Sequence, residues 1–277
     1  MAGGLVRFRM RSDYPVRVRA AFVAVLGLGA ALSALSTGWL LDGLAERDLP
    51  TLARWFAGPQ AAAPISRAGA LQVAFFSWAP LAVATYAVLA AADLSTDAAP
   101  SSRTLLARVP GFVGGMLALA AAASTGLVIT RLLGGEDGLS TIGLAAAPFA
   151  LVPLGLACGG LGMMVGVVAR SRRLTTVLVG AETVVVFGLL VAADEVATLD
   201  ALRYLSPFHY SDARHVLTRG VVIWHAAVLL TAFVLQATAA SALTSSEPRP
   251  AMRWLRRGLA VAGRKHGSGV EPGRGGS

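Results

Sequence analysis

Long uncharged stretches alternate with short charged segments along the chain. Six of these stretches are apolar and about 20 residues or longer, the length that an α-helix needs to cross the roughly 30 Å hydrocarbon core of a bilayer. Inside lipid the backbone must satisfy its own hydrogen bonds, so such segments form helices. The pattern predicts an all-α integral membrane protein with one transmembrane domain over residues 20–246. Its six spans are predicted at about 20–41, 68–92, 109–130, 142–169, 174–193 and 220–243.

The charged segments predict how the spans are oriented. Residues 1–19 carry five arginines and a single acid, and the sequence RSRR, Arg170–Arg173, joins the fourth and fifth stretches into a hairpin. Positive residues are retained on the cytoplasmic side of a membrane. Residues 1–19, the connection Asp93–Arg108, the RSRR turn and the basic, largely disordered tail 247–277 are therefore predicted to be cytoplasmic. We expect a multi-pass protein of the plasma membrane with both termini inside.

Composition supports the membrane assignment and argues against a different class. Hydrophobic residues make up 55% of the chain and charged residues 14%, whereas about a quarter of a typical soluble domain is charged. The net charge of +9 is not read as a nucleic-acid surface, because the arginines flank apolar stretches. We expect no nucleic-acid partner. Lys265 is the single lysine among 24 basic residues, a bias that, with the abundant alanine, indicates a GC-rich genome. We expect a bacterial protein.

The motifs of several enzyme classes do not occur in the sequence. A Walker nucleotide-binding loop needs Gly-Lys-Ser/Thr, and Lys265 follows Arg264. The four histidines lack metal-ligand spacing, and no GxSxG nucleophile turn occurs. Cys158 is the sole cysteine, so one chain cannot form a disulfide framework. We expect no enzyme activity, cofactor or metal on this chain, and a membrane-embedded transferase has little support.

Two features within the predicted spans stand out: a set of glycines that is a candidate for helix packing, and an acidic residue that is a candidate for a functional contact. Gly155 and Gly159, and then Gly162 and Gly166, are each four residues apart, which places small residues on one helix face and allows close approach of another helix. Glu182 lies deep in the fifth span, where a carboxylate costs about 2.5 kcal/mol or more. Two interpretations stay open for it: a contact with substrate or a second subunit, and a protonated carboxyl hydrogen-bonded to a neighbouring helix.

The largest polar segment, residues 194–219, is predicted to lie outside. Leu199, Leu202 and Leu205 recur at every third position, as on a short amphipathic helix that lies in the membrane interface. Pro207 then interrupts the pattern.

The layout resembles the membrane subunit of type-2 ABC exporters. The shared features are six spans, both ends inside, an outer segment ALRYLSPFHY at Ala201–Tyr210, a final span and a basic tail; the likeness is closest over Leu151–Leu243. The resemblance implies two permease subunits, identical or different, assembled with two separate ABC ATPase subunits that bind ATP and magnesium. It also implies that a short coupling helix between the second and third spans receives the ATPase motion.

The resemblance further assigns roles to particular residues. The sequence from Pro100 to Arg103, PSSR, is similar to the family's proline–serine–arginine turn, although the family's glutamate-rich run followed by Gly-Thr is absent. A solvated loop is the alternative interpretation of these charges. The implied coupling residues are Asp93, Asp97, Pro100, Arg103 and Arg108, and the implied outer gate segment is Pro207, Phe208, His209 and Tyr210.

The function expected from the resemblance is that of an ABC exporter permease, which moves an apolar or amphipathic substrate through the lipid bilayer. The alternative is a non-transporting membrane sensor or assembly factor.

Overall fold

The fold is a bundle of membrane-length helices. The computed structural model describes residues 17–36, 71, 74–95, 102–134, 140–211, 216–219 and 221–245, and these residues contain no β-strand. The predicted fold class, all-α with six membrane spans, is confirmed. The spans are Arg17–Ser36, Ala74–Ser95, Ser102–Leu133, Thr141–Ala169, Arg172–Leu190 and Ile223–Thr244. Most of the predicted basic N-terminal segment and all of the tail 247–277 lie outside the described residues.

Shorter elements interrupt and connect the spans. In chain order the helices are α1 (Arg17–Ser36), α2 (Ala79–Ser95), α3 (Ser102–Gly134), α4 (Thr141–Ala146), α5 (Leu151–Ala169), α6 (Arg172–Glu195), α7 (Pro207–Ser211), α8 (Val216–Arg219) and α9 (Ile223–Ser245). Two 3₁₀ helices, Ala147–Ala150 and Ala197–Leu205, follow α4 and α6. The fourth span therefore consists of α4, a 3₁₀ turn and α5.

The predicted loop Asp93–Arg108 requires a correction. Asp93 lies in α2, and Arg103 and Arg108 lie in α3, which begins at Ser102 and continues through Pro110. Arginine is a good helix former, and its long side chain can reach water from within the interface. A helix can therefore continue past the last apolar residue, so hydropathy locates the hydrocarbon core and not the helix ends.

The helix α5 lies at the centre of the bundle. It packs against α2, α3, α6, α7 and α9. In the most apolar 18-residue stretch of the fourth span, 67% is buried by other parts of the chain. The buried share of the corresponding stretch is 22% or less in the first, fifth and sixth spans. Gly160 faces α9, where it lies against Phe233 and Gln236. The remaining helices are thus arranged around α5.

Glycines on α5 bring its neighbours close. A Cβ atom at Gly159 would overlap the Phe112 ring of α3, and one at Gly166 would overlap the Ser95 side chain of α2. In lipid the hydrophobic effect does not drive helices together, so their association relies on close van der Waals packing. Contacts this close need a helix face without side chains. All four glycines predicted to pack are buried in contacts with α2 or α3: Gly155, Gly159, Gly162 and Gly166.

Successive spans run in opposite directions. The ring centroids of Phe22 and Tyr86 are 5.4 Å apart, and Ser33 Oγ donates to the Ala74 carbonyl near the other end of the same pair of spans. Because the six spans alternate, the first and last described residues lie at one end of the bundle. We call this the basic end. Its charged residues in the described part of the chain are Arg17, Arg19, Asp93, Arg103, Arg108, Arg170, Arg172 and Arg173.

The fourth span is broken where proline prevents a regular helix. Pro148 lies in the 3₁₀ helix between α4 and α5, and a proline removes a backbone donor from the helical ladder. Ser124 of α3 places its hydroxyl 2.7 Å from the Ala145 carbonyl, next to this break. A polar side chain on a neighbouring helix thus supplies a hydrogen bond within a membrane-length segment, where water cannot do so.

Replacing Gly159 by alanine is expected to destabilise the bundle, since its new methyl group would displace the Phe112 ring. Overpacking of this kind costs about 1–3 kcal/mol. Gly188→Ala on α6 is the matched control, because no atom lies within 4 Å of its Cβ position. That variant should be neutral or more stable, given the higher helix propensity of alanine. Unfolding by SDS titration in mixed micelles measures both; equal effects would contradict the packing described for α5.

Candidate functional site

The turn at Arg170–Arg173 joins α5 to α6 with both helices capped. Arg170 is left-handed, with φ +48°, and its N–H donates to the Gly166 carbonyl at 2.8 Å. Ser171 is extended, and its hydroxyl accepts a hydrogen bond from the Leu174 N–H at 3.4 Å. A left-handed conformation costs a non-glycine residue about 1–2 kcal/mol, so the surrounding packing holds this turn. Arg172 consequently lies in the first turn of α6.

An ion pair connects this turn to the end of α2. Arg172 Nε lies 2.6 Å from Asp93 Oδ1, and both side chains are about one-third exposed. Arg108 of α3 donates from Nη1 to the Leu94 carbonyl at 3.4 Å. A cation at this carbonyl also complements the negative end of the α2 dipole. The carboxyl end of α2 is thus joined to both α3 and α6.

The five predicted coupling residues do not all lie together in the structure. Asp93 and Arg108 come together at the end of α2, whereas Arg103 lies exposed in the first turn of α3. Asp97 and Pro100 lie outside the described residues. Sequence reasoning did not identify Arg172 as the partner of Asp93. The only signal available was the opposite charge of two segments predicted to lie on the same side of the membrane.

A cleft of about 350 Å³ opens beside this junction, between α1, α2 and α3. Its charged lining consists of Arg19, Asp93 and Arg108, and Tyr86 also lines it. Gly115 of α3 makes room for the Tyr86 hydroxyl, since a Cβ there would lie 2.6 Å from it.

At the opposite end of the bundle, the polar segment after α6 folds back against that helix. The leucines predicted to form an amphipathic helix lie in the 3₁₀ helix Ala197–Leu205. Their three-residue spacing matches the 3.0 residues per turn of this geometry. Pro207 is the first residue of α7, a position where its missing N–H costs nothing.

The predicted gate segment contributes to the core as well as to the surface. Phe208 is buried, with its ring edge-on to Phe187 at 5.2 Å between centroids. His209 lies at the centre of an aromatic cluster, 5.0 Å from Tyr204 and 5.7 Å from His225 between ring centroids. His225, on α9, was not singled out from the sequence, because nothing in its local pattern indicates this contact.

Glu182 lies half-buried on α6. In the described part of the chain it forms neither an ion pair nor a hydrogen bond. Among the same residues, no group of three or more histidine, cysteine or acidic side chains could hold a metal ion. Among the described spans, Glu182 is the one acidic residue away from a span end.

Comparison of the chain with protein-family models, curated proteins and solved structures finds no match.

The ion pair Asp93–Arg172 is expected to couple α2 to α6 energetically. A double-mutant cycle with Asp93→Asn and Arg172→Gln should give a coupling free energy of about 0.5–1 kcal/mol in the free energy of unfolding. The pair Asp200–Arg203, three residues apart within one 3₁₀ helix, serves as the matched control. Its coupling should be smaller, since Asp200 is more exposed and the pair joins no separate helices. A zero value for the first cycle would contradict the proposed link.

Proposed function

We propose that the chain is the membrane-spanning permease subunit of a type-2 ABC exporter of a bacterial plasma membrane. A separate ATPase subunit binds ATP and magnesium, and the chain moves an apolar or amphipathic substrate. The observation that supports this most is the junction at the basic end, where Asp93–Arg172 and Arg108–Leu94 join the α2–α3 connection to the bundle. The resemblance implies ATPase contact at the same connection.

The contacts at the basic end would transmit motion from the α2–α3 connection to the centre of the bundle. A displacement of the start of α3 would move the end of α2 through the Arg108 hydrogen bond, and would move α6 through the Asp93–Arg172 ion pair. The α2 helix itself packs directly on α5, with Ser95 against Gly166. Close-packed helices transmit displacement as rigid bodies and do not deform smoothly. Motion of an attached ATPase would therefore shift α2 and α6 together.

Two permease subunits would enclose the substrate path. The fifth span lies within α6, and only 22% of its most apolar 18-residue stretch is buried. Most of its surface is therefore available to lipid, substrate or a second subunit. Glu182 lies at the border of that surface. At the other end, Pro207–Tyr210 and the cluster around His209 would shape the exit. The small number of charges between the two ends suits an apolar or amphipathic cargo.

Copurification tests this function. The tagged full-length chain, extracted from its native host in a mild detergent, should carry a stoichiometric subunit with a nucleotide-binding sequence and ATPase activity. Recovery of the intact chain without any ATPase, under several mild detergents, would contradict the permease assignment. Recovery with a sensor kinase or with biosynthetic enzymes would instead favour the sensor or assembly alternative.

Arg103→Glu is expected to impair coupling without affecting insertion. The side chain is exposed in the first turn of α3, so its reversal should leave the bundle intact. Like-charge juxtaposition at an interface costs several kcal/mol, so the copurifying ATPase should fall by about tenfold or more. Arg103→Lys keeps the charge and is the matched control. Wild-type amounts of ATPase on the glutamate variant, at equal membrane levels, would count against coupling through this helix.

A further inference from the structure

We infer that the cleft between α1, α2 and α3 binds the phosphate group of an anionic phospholipid from the surrounding leaflet. This inference does not depend on the transport proposal, because it rests on the position, shape and charge of the cleft alone.

The cleft lies at the depth of lipid headgroups. Arg19 directly precedes the first apolar stretch, Arg108 directly precedes the third, and Asp93 directly follows the second. The fold brings these three boundary residues to one cavity of about 350 Å³. Charged residues at the ends of three spans therefore line the same opening, at the level where hydrocarbon gives way to phosphate and water.

The charge of the cleft favours an anion. Arg19 and Arg108 contribute two positive charges, while the one acidic side chain in its lining, Asp93, is paired with Arg172 at 2.6 Å. A guanidinium group binds phosphate through parallel N–H donors, which makes arginine the favoured residue for phosphate recognition. Basic pockets between transmembrane helices are suited to anionic headgroups for this reason.

A hydrogen bond positions one of the two arginines at the cleft. The bond from Arg108 to the Leu94 carbonyl holds its guanidinium at the end of α2. Arg19 lines the same cleft, and Gly111 lines its wall without a side chain. The cleft thus combines two cations, one of them held in place, with an open wall along which acyl chains could leave toward the lipid.

Native mass spectrometry of the delipidated full-length chain tests the site, with phosphatidylglycerol and phosphatidylcholine as probes. The wild type should retain phosphatidylglycerol preferentially. Near a membrane surface each arginine is worth about fivefold in affinity for anionic lipid, so Arg19→Gln with Arg108→Gln should weaken phosphatidylglycerol binding roughly 30-fold. Arg173→Gln removes an exposed charge from the same end but outside the cleft, and should change binding little.

Three outcomes would overturn the inference. Equal losses of phosphatidylglycerol binding in the double variant and in Arg173→Gln would show that the lipid binds a general basic surface and not a specific cleft. Unchanged binding in the double variant would exclude its two arginines. Displacement of the lipid by inorganic phosphate at equal concentration would assign the site to a soluble anion.

A photoactivatable phosphatidylglycerol provides a measurement on the unaltered chain, in case the double variant does not fold. Cross-links should map to the cleft, including the exposed lining residue Ala107. Cross-links confined to the surface of α6 or α9 would contradict the site.

Discussion

The close packing of α5 is the constraint on which the rest of the bundle depends. A membrane offers no hydrophobic gain for bringing two helices together, so their contact must come from van der Waals fit and from hydrogen bonds. Glycines on α5 allow α2 and α3 to approach until Phe112 and Ser95 fill the places of absent side chains. The outer spans, α1, α6 and α9, are then arranged around a fixed centre, with much of their surface left for lipid or partners.

Around that centre the two ends of the bundle differ in chemistry. The basic end is held by ionic and carbonyl contacts that cross between helices, as in Asp93–Arg172 and Arg108–Leu94. The opposite end is held by aromatic contacts, with Phe208 against Phe187 and His209 against His225. Ionic contacts between helices at one end and ring contacts at the other make the two ends of the bundle chemically different. In the proposed function, the charged end receives force and the aromatic end shapes the exit.

The sequence predicted the spans well because a single physical requirement, satisfying the backbone inside lipid, produces long uncharged helices. The prediction was less accurate at the membrane boundary. Hydropathy starts the third span at Val109, whereas the helix already begins at Ser102 and includes Arg103 and Arg108. Glycine spacing identified the buried face of α5, but the residues opposite each glycine depend on helix directions and register. The partners Asp93 and Arg172, or His209 and His225, are distant in sequence, and only the fold brings them together. Three-residue leucine spacing over a short segment fits both α and 3₁₀ geometry, so the helix type emerged only in the structure.

The proposed function requires that the basic end faces the cytoplasm, where an ATPase subunit would act on it. Cysteine labelling in intact cells tests this most directly, since Cys158 is the sole cysteine and can be replaced by alanine. In that background, Ile142→Cys, at a site that is 81% exposed at the opposite end, should react with a membrane-impermeant maleimide added outside. Arg173→Cys at the basic end should react only after the membrane is permeabilised. The reverse pattern would place the basic end outside, beyond the reach of ATP, and would contradict the proposed function.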